Sequence, residues 1–246
     1  MIVLFAFVGL LPRYLQAKEK SEIPEIDGIY TDPDYPDIKV RVFVHKEKPA
    51  RSINSTLVCS PDPESDAVVH PAGWKLPQTW TYSLNLSSAP ASVNGASLPT
   101  IAKNGFDDWI SASGKSVSFS RNADTLIDRQ ANDFKNIIAW GRTSGNALAV
   151  TYIRYYPDTG RVVDIDTIMN KKFAWKWANS NTCADPGAYD AENILTHEQG
   201  HWLGLDDEYN AGLYGNATMY GYGAKGEVKK TTLTKGDKVG ASQIYQ

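Results

Sequence analysis

The sequence predicts an α+β fold, with several short strands and three helices around one core. Apolar and polar residues alternate in short runs after Trp74, which is the period of a half-buried strand. In three other segments the apolar residues recur at helical spacing or a helix-capping residue comes first, and each of these predicts a helix. The chain has 246 residues, 42% of them hydrophobic, so it can bury one sizeable core.

The predicted elements follow one another from residue 80 to the C-terminus. WTYSLNL (80–86) alternates as a strand, and SLPTIAKNGFDDWISAS (97–113) places Ile101, Phe106 and Trp109 at helical spacing. Four further short strands are predicted in VSFSR, NIIAWG, LAVTYIRYY and RVVDIDTIM. After Asp190, a good N-cap, AENILTHEQGHWLGL predicts a helix, and TKGDKVGASQIY predicts the last one.

The N-terminal part differs in composition from the rest. An uncharged apolar run from Ile2 to Leu11 is much shorter than the ~20 residues that cross a bilayer, and it resembles the core of a secretory signal. A buried N-terminal strand is the alternative. Residues 18–72 are rich in Pro, Asp and Glu around one strand-like run, IKVRVFVH. We therefore expect a signal peptide (1–17), a pro-region or extension with little core of its own (18–72) and one main domain (73–246).

The charge balance excludes several kinds of partner. The formal net charge is −3 and the pI is near 5.8, and no basic cluster stands out along the chain. We expect no nucleic-acid partner and no transmembrane segment, and we expect a secreted monomer.

One segment, THEQGHWLGLDDEY (196–209), carries the chemistry. His197 and His201 are four residues apart, so on a helix both imidazoles point to one place, which suits a zinc ion. Glu198 can reach a water on that metal without being a ligand, as a general base should. Gly204 allows the chain to reverse and bring a third ligand from outside the helix.

Here the sequence resembles a family. HEQGHWLGLDD resembles the zinc signature of the metzincin metallopeptidases, H-E-x-x-H-x-x-G-x-x-H/D, with Asp207 in the third ligand position, and ATMYGY resembles their Met-turn, with Met219 beneath the metal. WTYSLNL and LTKGDKVGASQIY are similar to the first strand and last helix of the matrixin branch. Over residues 74–246 the resemblance implies a zincin-like fold, with a twisted, mixed five-stranded sheet, an active-site helix and a C-terminal helix. It also implies a zinc endopeptidase that acts on proteins or peptides.

The third ligand departs from the usual matrixin pattern, which has histidine there. A carboxylate oxygen is an acceptable zinc ligand. Asp206 and Glu208 compete with Asp207 for this role, and the spacing favours Asp207.

The resemblance also implies where a peptide binds. Ala147, Leu148 and Ala149 match the start of the strand that receives substrate along a sheet edge. An ordinary sheet strand is the alternative. Tyr222 resembles the wall of the pocket beyond the scissile bond, although it falls one position earlier than in the usual matrixin pattern.

Several other residues bear on metals and covalent bonds. Cys59 and Cys183 predict one disulfide in an exported protein, with a zinc-binding switch at Cys59 as the alternative. His45 and His70 lie in the extension, so we expect no additional structural zinc. Calcium is possible near DTGRVVDID (158–166), where a solvated acidic turn is the alternative. Two alternative functions remain. One is a zinc hydrolase that acts on something other than protein, and the other is a secreted binding or surface protein of the same fold without proteolytic activity, against which the intact Glu198 argues.

Overall fold

A computed structural model describes residues 22–48, 64–179 and 185–245 of the chain. Its framework is a sheet of eight strands with the order β1-β2-β6-β7-β5-β3-β4, in which β10 also pairs with β2; β8 and β9 form a separate pair. The strands are β1 (Gly28–Thr31), β2 (Lys39–Glu47), β3 (Thr79–Leu84), β4 (Ser118–Arg121), β5 (Ile137–Gly141), β6 (Ala147–Tyr156), β7 (Arg161–Asn170), β8 (Trp175–Lys176), β9 (Tyr189–Asp190) and β10 (Tyr222–Gly223).

The helices lie mainly in the second half of the chain. They are α1 (Leu98–Ala112), α2 (Ala191–Leu203), the one-turn α3 (Ala211–Tyr214) and α4 (Lys235–Tyr245), with short 3₁₀ turns at Leu86–Ser88, Gly95–Ser97 and Lys229–Thr231. Over the described residues, none of these helices combines the length and apolar character that would let it cross a bilayer.

The predicted mixed five-stranded sheet is confirmed by β3 to β7. Strands β3, β4, β5 and β7 run parallel to one another, and β6 runs antiparallel to β7. The observed bounds differ from the predicted segments by one or two residues, because alternation of side chains locates a strand better than its ends. The short strands β1 and β10 were not predicted.

The N-terminal segment is more than an extension with little core. Strand β2 pairs antiparallel with β6 from Lys39 to Lys46 and thereby enlarges the main sheet. Val40, Val42 and Val44 point to one face of the sheet, where they join a second, smaller apolar cluster, while Phe43 on the other face joins the main core. The expectation for residues 18–72 was therefore wrong on this point, because the run KVRVFVH has apolar residues for both faces of a sheet.

The main core lies between the sheet and helices α1 and α2. Helix α1 presents Ile101, Phe106 and Trp109 to α2, as its spacing predicts. A Cβ on Gly105 would lie 2.0 Å from Oε1 of Gln199 and 2.8 Å from Oγ1 of Thr196, so a larger residue there would displace these two side chains of α2. Trp109 Nε1 donates to the Thr196 carbonyl over 2.8 Å, which ties α1 to the buried helix α2.

Candidate metal centre

Helix α2 is buried along its whole length and is fixed at both ends. The Asp190 side chain accepts a hydrogen bond from the Asn193 N–H (2.9 Å), as the predicted N-cap should. The helix ends at Gly204, which has φ 106°. A Cβ there would lie 2.2 Å from the Trp74 carbonyl oxygen, so glycine is required both for the left-handed turn and for space. Beyond this turn the chain reverses toward the histidines of the helix.

The two histidines of α2 direct their Nε2 atoms at one point. Nδ1 of His197 lies 2.7 Å from the Thr218 carbonyl oxygen, and Nδ1 of His201 lies 2.9 Å from the Leu205 carbonyl oxygen. Carbonyl oxygens only accept hydrogen bonds, so each Nδ1 holds the proton and each neutral ring has a bare Nε2. The two Nε2 atoms lie 3.2 Å apart with no proton to share.

Asp207 is the acidic residue that the structure brings to this point. Its Oδ1 lies 3.2 Å from Nε2 of His197 and 3.6 Å from Nε2 of His201, and this buried oxygen has no hydrogen-bond partner. Its Oδ2 accepts from the Tyr209 hydroxyl at 3.1 Å.

The two competing acids engage other partners. Asp206 Oδ1 lies 3.2 Å from a guanidinium nitrogen of Arg41. Glu208 accepts from the backbone N–H of His70 at 2.9 Å and lies 2.6 Å from its ring Nδ1. Neither carboxylate turns toward the histidine pair.

The three converging atoms fit a zinc ion. Ligand atoms ~2.0–2.2 Å from one ion at tetrahedral angles are roughly 3.3 Å apart, which matches the spacings among the two Nε2 atoms and Asp207 Oδ1. Within the described residues, His197, His201 and Asp207 form one of the groups whose ligand atoms come close enough for a shared ion. A cation would satisfy two bare imidazole nitrogens and one orphaned carboxylate oxygen together.

Burial sets the electrostatics of this site. It lowers the pKa of His197 well below 6.5 and that of His201 to about 3, which keeps both rings neutral. Burial also raises the pKa of Asp207 and raises that of Glu198 to about 8. Each group therefore resists carrying a charge without a nearby counter-charge, and a divalent cation would supply one.

One carboxylate oxygen of Glu198 accepts a hydrogen bond, and the other has no hydrogen-bond partner. Its Oε2 accepts a hydrogen bond from the Thr151 hydroxyl over 2.6 Å. Its Oε1 is buried, makes no hydrogen bond and lies 3.2 Å from Nδ1 of His45. His45, Glu198 and His197 form a second group of close ligand atoms.

Met219 lies against helix α2. A Cβ on Gly200 would lie 2.2 Å from the Met219 sulfur and 2.8 Å from the Trp109 ring. The Met219 N–H donates to the buried carboxylate of Asp237 in α4 over 3.2 Å. The preceding residue, Thr218, supplies the carbonyl that holds His197.

The residues expected to bind substrate lie next to the site but are already paired. Ala147 is opposite Lys46 and Ala149 is opposite His45 in the β2–β6 ladder. Tyr222 lies in β10, where it is also opposite Lys46. Leu148 is fully buried, and β2 already pairs with this stretch of β6, so this edge of the sheet is not open.

Sequence reasoning missed His45, Phe43, Thr151 and Lys230. The alternation of KVRVFVH places residues 43 and 45 on one face of a strand, which is a usable signal, but nothing local indicates that this face covers the site. Thr151 and Lys230 carry no motif. Only the packing of distant segments brings them to Glu198 and His45.

Two further expectations have different outcomes. Cys59 and Cys183 lie outside the described residues. In the segment proposed for calcium, Asp158 lies in an exposed turn, whereas Asp164 and Asp166 are buried and pair with the Arg154 guanidinium, at 2.7 and 3.3 Å, so the solvated acidic turn was wrong for these two residues. Arg154 provides the positive charge that those two carboxylates face.

Comparison with protein families gives one match. The family model described as Matrixin matches residues 73–246, which is the part of the chain that carries β3 to β10 and all four helices. No curated protein matches the chain at the significance required.

Proposed function

The chain belongs to the matrixin family of zinc metallopeptidases, and we propose that it is a secreted endopeptidase that uses Glu198 as its general base. The observation that carries this proposal is the convergence of two bare imidazole nitrogens and an unpaired carboxylate oxygen beside a second buried carboxylate.

The proposed metal ligands are Nε2 of His197, Nε2 of His201 and Oδ1 of Asp207. When bound, zinc supplies a Lewis acid that activates water and polarises the scissile carbonyl. The carbonyls of Thr218 and Leu205 hold the two rings in the required tautomer. Met219 supports the helix beneath this point without being a ligand.

Glu198 is proposed to move the proton. Thr151 holds Oε2, so Oε1 is the oxygen free to take a proton from the attacking water and to pass it to the leaving amine. A buried carboxylate with a raised pKa holds a proton well enough to act as the acid in the second step.

The proposed peptide site is the edge of β6 together with β10. A substrate in extended conformation would add to Ala147–Ala149 as an antiparallel strand, with Tyr222 on its other side. An edge that accepts a peptide along its length suits cleavage within a chain and therefore an endopeptidase. We propose a monomer, because the proposed ligand set of His197, His201 and Asp207 is complete within one chain.

Secretion and maturation are proposed from the sequence. The apolar run at residues 2–11 supports a signal peptide over 1–17, followed by a pro-region over 18–72 and the catalytic domain over 73–246. An oxidising compartment would favour a Cys59–Cys183 disulfide, which mass spectrometry without reductant tests directly.

The alternative is a secreted binding or surface protein of the same fold without proteolytic activity. It is less well supported, because a binding protein has no use for a buried, half-satisfied glutamate 2.6 Å from a threonine that orients it.

The test combines metal content with hydrolysis. The purified full chain should bind one equivalent of zinc, and any cleavage of an unfolded protein that it shows should stop with a strong chelator. Glu198→Gln should keep the zinc and lower the rate about 10²–10⁴-fold. Glu192→Gln, in the first turn of the same helix, is the matched control. A chain that takes up no zinc, or cleavage that survives Glu198→Gln, would contradict the proposal.

A further inference from the structure

Strand β2 occupies the edge proposed for the substrate. It runs antiparallel to β6 with Phe43 opposite Thr151 and His45 opposite Ala149. On its other side it runs parallel to β10, where the Lys46 N–H donates to the Gly221 carbonyl (3.2 Å) and the Lys48 N–H to the Gly223 carbonyl (2.8 Å). A strand that is added between these two edges uses the same backbone groups that an extended peptide would use.

The side chains of β2 cover the candidate metal centre. The Phe43 ring stacks on the His201 ring with centroids 3.7 Å apart and planes 5° apart. The His45 ring meets the His197 ring edge-on at 4.0 Å, and its Nδ1 lies 3.2 Å from Oε1 of Glu198. The oxygen proposed to take a proton from water therefore faces an imidazole.

The buried His45 side chain occupies a pocket bounded by Glu198, Gly223 and Lys230. A Cβ on Gly223 would lie 3.0 Å from His45 Nε2, so the backbone of β10 passes close to the ring. The Lys230 ammonium lies 3.3 Å from the same nitrogen and is itself fully buried. A side chain of β2 thus takes up this space beside Glu198.

Charged contacts at the rim hold the strand in place. Arg41 pairs with Asp27 and with Asp206, which follows the metal-binding helix, and its guanidinium lies 4.1 Å from the Phe43 ring centre. The Tyr209 hydroxyl joins Asp27 (2.8 Å) to Asp207 (3.1 Å). The N-terminal segment is therefore anchored to the loop that carries the third proposed ligand.

We propose that residues 39–47 are an internal pseudosubstrate, a strand that occupies the peptide groove of its own chain and keeps the enzyme latent until it is displaced or removed. This inference rests on the proposed function, since it regulates that same site. It assigns latency to a strand and to His45, rather than to Cys59.

The test uses substitutions in the full chain that weaken the packing of β2. It then measures whether a separate peptide with the sequence of residues 39–47 binds in place of the strand. Arg41→Ala removes the rim anchor, and Val42→Asp places a carboxylate in the apolar cluster on the opposite face of the sheet, away from the metal centre. Arg161→Ala is the matched control, because Arg161 also lies over an aromatic ring, that of Tyr156 at 4.5 Å, but far from β2. Circular dichroism and melting curves identify the variants that stay folded.

Fluorescence anisotropy measures binding of a labelled, end-capped peptide of residues 39–47, KVRVFVHKE. We expect the Arg41→Ala and Val42→Asp variants that stay folded to bind this peptide at least about tenfold more tightly than the wild type or Arg161→Ala. The reason is that the peptide can bind only those molecules in which β2 has left the groove, so the apparent affinity rises with the fraction of such molecules. The same variants should also hydrolyse an unfolded protein faster than the wild type does. Equal peptide affinity in wild type and folded variants, or equal non-zero hydrolysis, overturns the pseudosubstrate and leaves the peptidase. Peptide binding without hydrolysis in any variant keeps the pseudosubstrate and contradicts the peptidase.

Discussion

The Thr151 hydroxyl on β6 donates a 2.6 Å hydrogen bond to Glu198 on α2 and so joins this inner strand of the sheet to the buried helix. An ionised carboxylate can only accept, so the single Thr151 proton goes to Glu198. Thr167 Oγ1 therefore donates to Thr151 Oγ1 at 2.7 Å, and it accepts in turn from Trp202 Nε1 at 2.9 Å. All four side chains are buried, so no water substitutes for a missing member.

This relationship predicts that Thr151 positions the base. Thr151→Val should lower kcat roughly tenfold or more with KM nearly unchanged, because a hydrogen bond to a charged group is worth about 1.5–3 kcal/mol. Thr151→Ser should restore most of kcat. The measurement is steady-state hydrolysis in the Arg41→Ala background, with Thr159→Val at an exposed turn as the control. A change confined to KM, or no rescue by serine, would show that Thr151 only packs.

Replacing the acids after Gly204 should separate their roles. Asp207→Asn should lower zinc affinity by more than the roughly 10–100-fold that loss of an outer hydrogen-bond partner causes. Tyr209→Phe, which removes the hydroxyl on Asp207 Oδ2, should fall within that smaller range. Asp206→Asn is the control and should leave zinc affinity unchanged. Competition with a chelator of known affinity measures all three. A larger loss for Asp206→Asn than for Asp207→Asn would reassign the ligand.

Gly200 should be required for the contact with Met219. Alanine in a helix normally gains about 1 kcal/mol over glycine. A Cβ on Gly200, however, would lie 2.2 Å from the Met219 sulfur and 2.8 Å from Trp109, and overpacking costs about 1–3 kcal/mol. Gly200→Ala should therefore lower the free energy of unfolding.

A double-mutant cycle by urea unfolding checks this explanation. Met219→Ala removes the sulfur that the new methyl group would strike, so Gly200→Ala should cost less in that background than in the wild type. Additive effects would mean that the two residues do not compete for the same space.

Asp190 should make stability depend on pH. Burial raises the pKa of this N-cap to about 6 in the folded protein, from 3.8. The folded state therefore binds the proton more tightly than the unfolded state does. The contribution is fully present below pH 3.8 and is lost as the pH rises through about 6, by up to about 3 kcal/mol.

Asp190→Asn keeps a capping oxygen but cannot titrate in this range. Other buried carboxyls with raised pKa values, such as Asp164, remain in this variant, so its free energy of unfolding should still fall between pH 4 and pH 6, but by up to about 3 kcal/mol less than that of the wild type. Urea unfolding across this range is the measurement, and Asp158→Asn at an exposed turn is the control. Parallel curves for wild type and Asp190→Asn would contradict the assignment.

The buried Lys230 ammonium should select the side chain that enters the pocket. Burial lowers its pKa to about 8, so it is still charged at pH 7. In the Arg41→Ala variant, the His45→Gln form of the 39–47 peptide should bind roughly tenfold more tightly than the His45→Leu form, because Gln can accept from the ammonium. Lys230→Met should remove or reverse this preference. The same preference for Gln in Lys230→Met would exclude Lys230 as its source.

Local sequence features fixed the helix and its chemistry in advance. The four-residue spacing of His197 and His201, the capping Asp190 and the turn residue Gly204 act within a few residues of one another, so covalent geometry alone brings them together. The strand runs from residue 79 to residue 170 were recognisable for the same reason, since alternation needs only neighbouring residues.

Tertiary structure decided what the sequence left open. The choice of Asp207 over Asp206 and Glu208 depends on Arg41 and His70, which engage the other two acids from distant segments. The position of β2 beside β6 joins residues about a hundred positions apart, and no local pattern encodes that pairing. Local periodicity specifies which face of a strand is apolar, whereas the burial of that face against a partner is settled only when the whole core forms. His45 therefore lies at the candidate metal centre because β2 pairs with β6, and the residues next to His45 in the sequence do not predict that pairing.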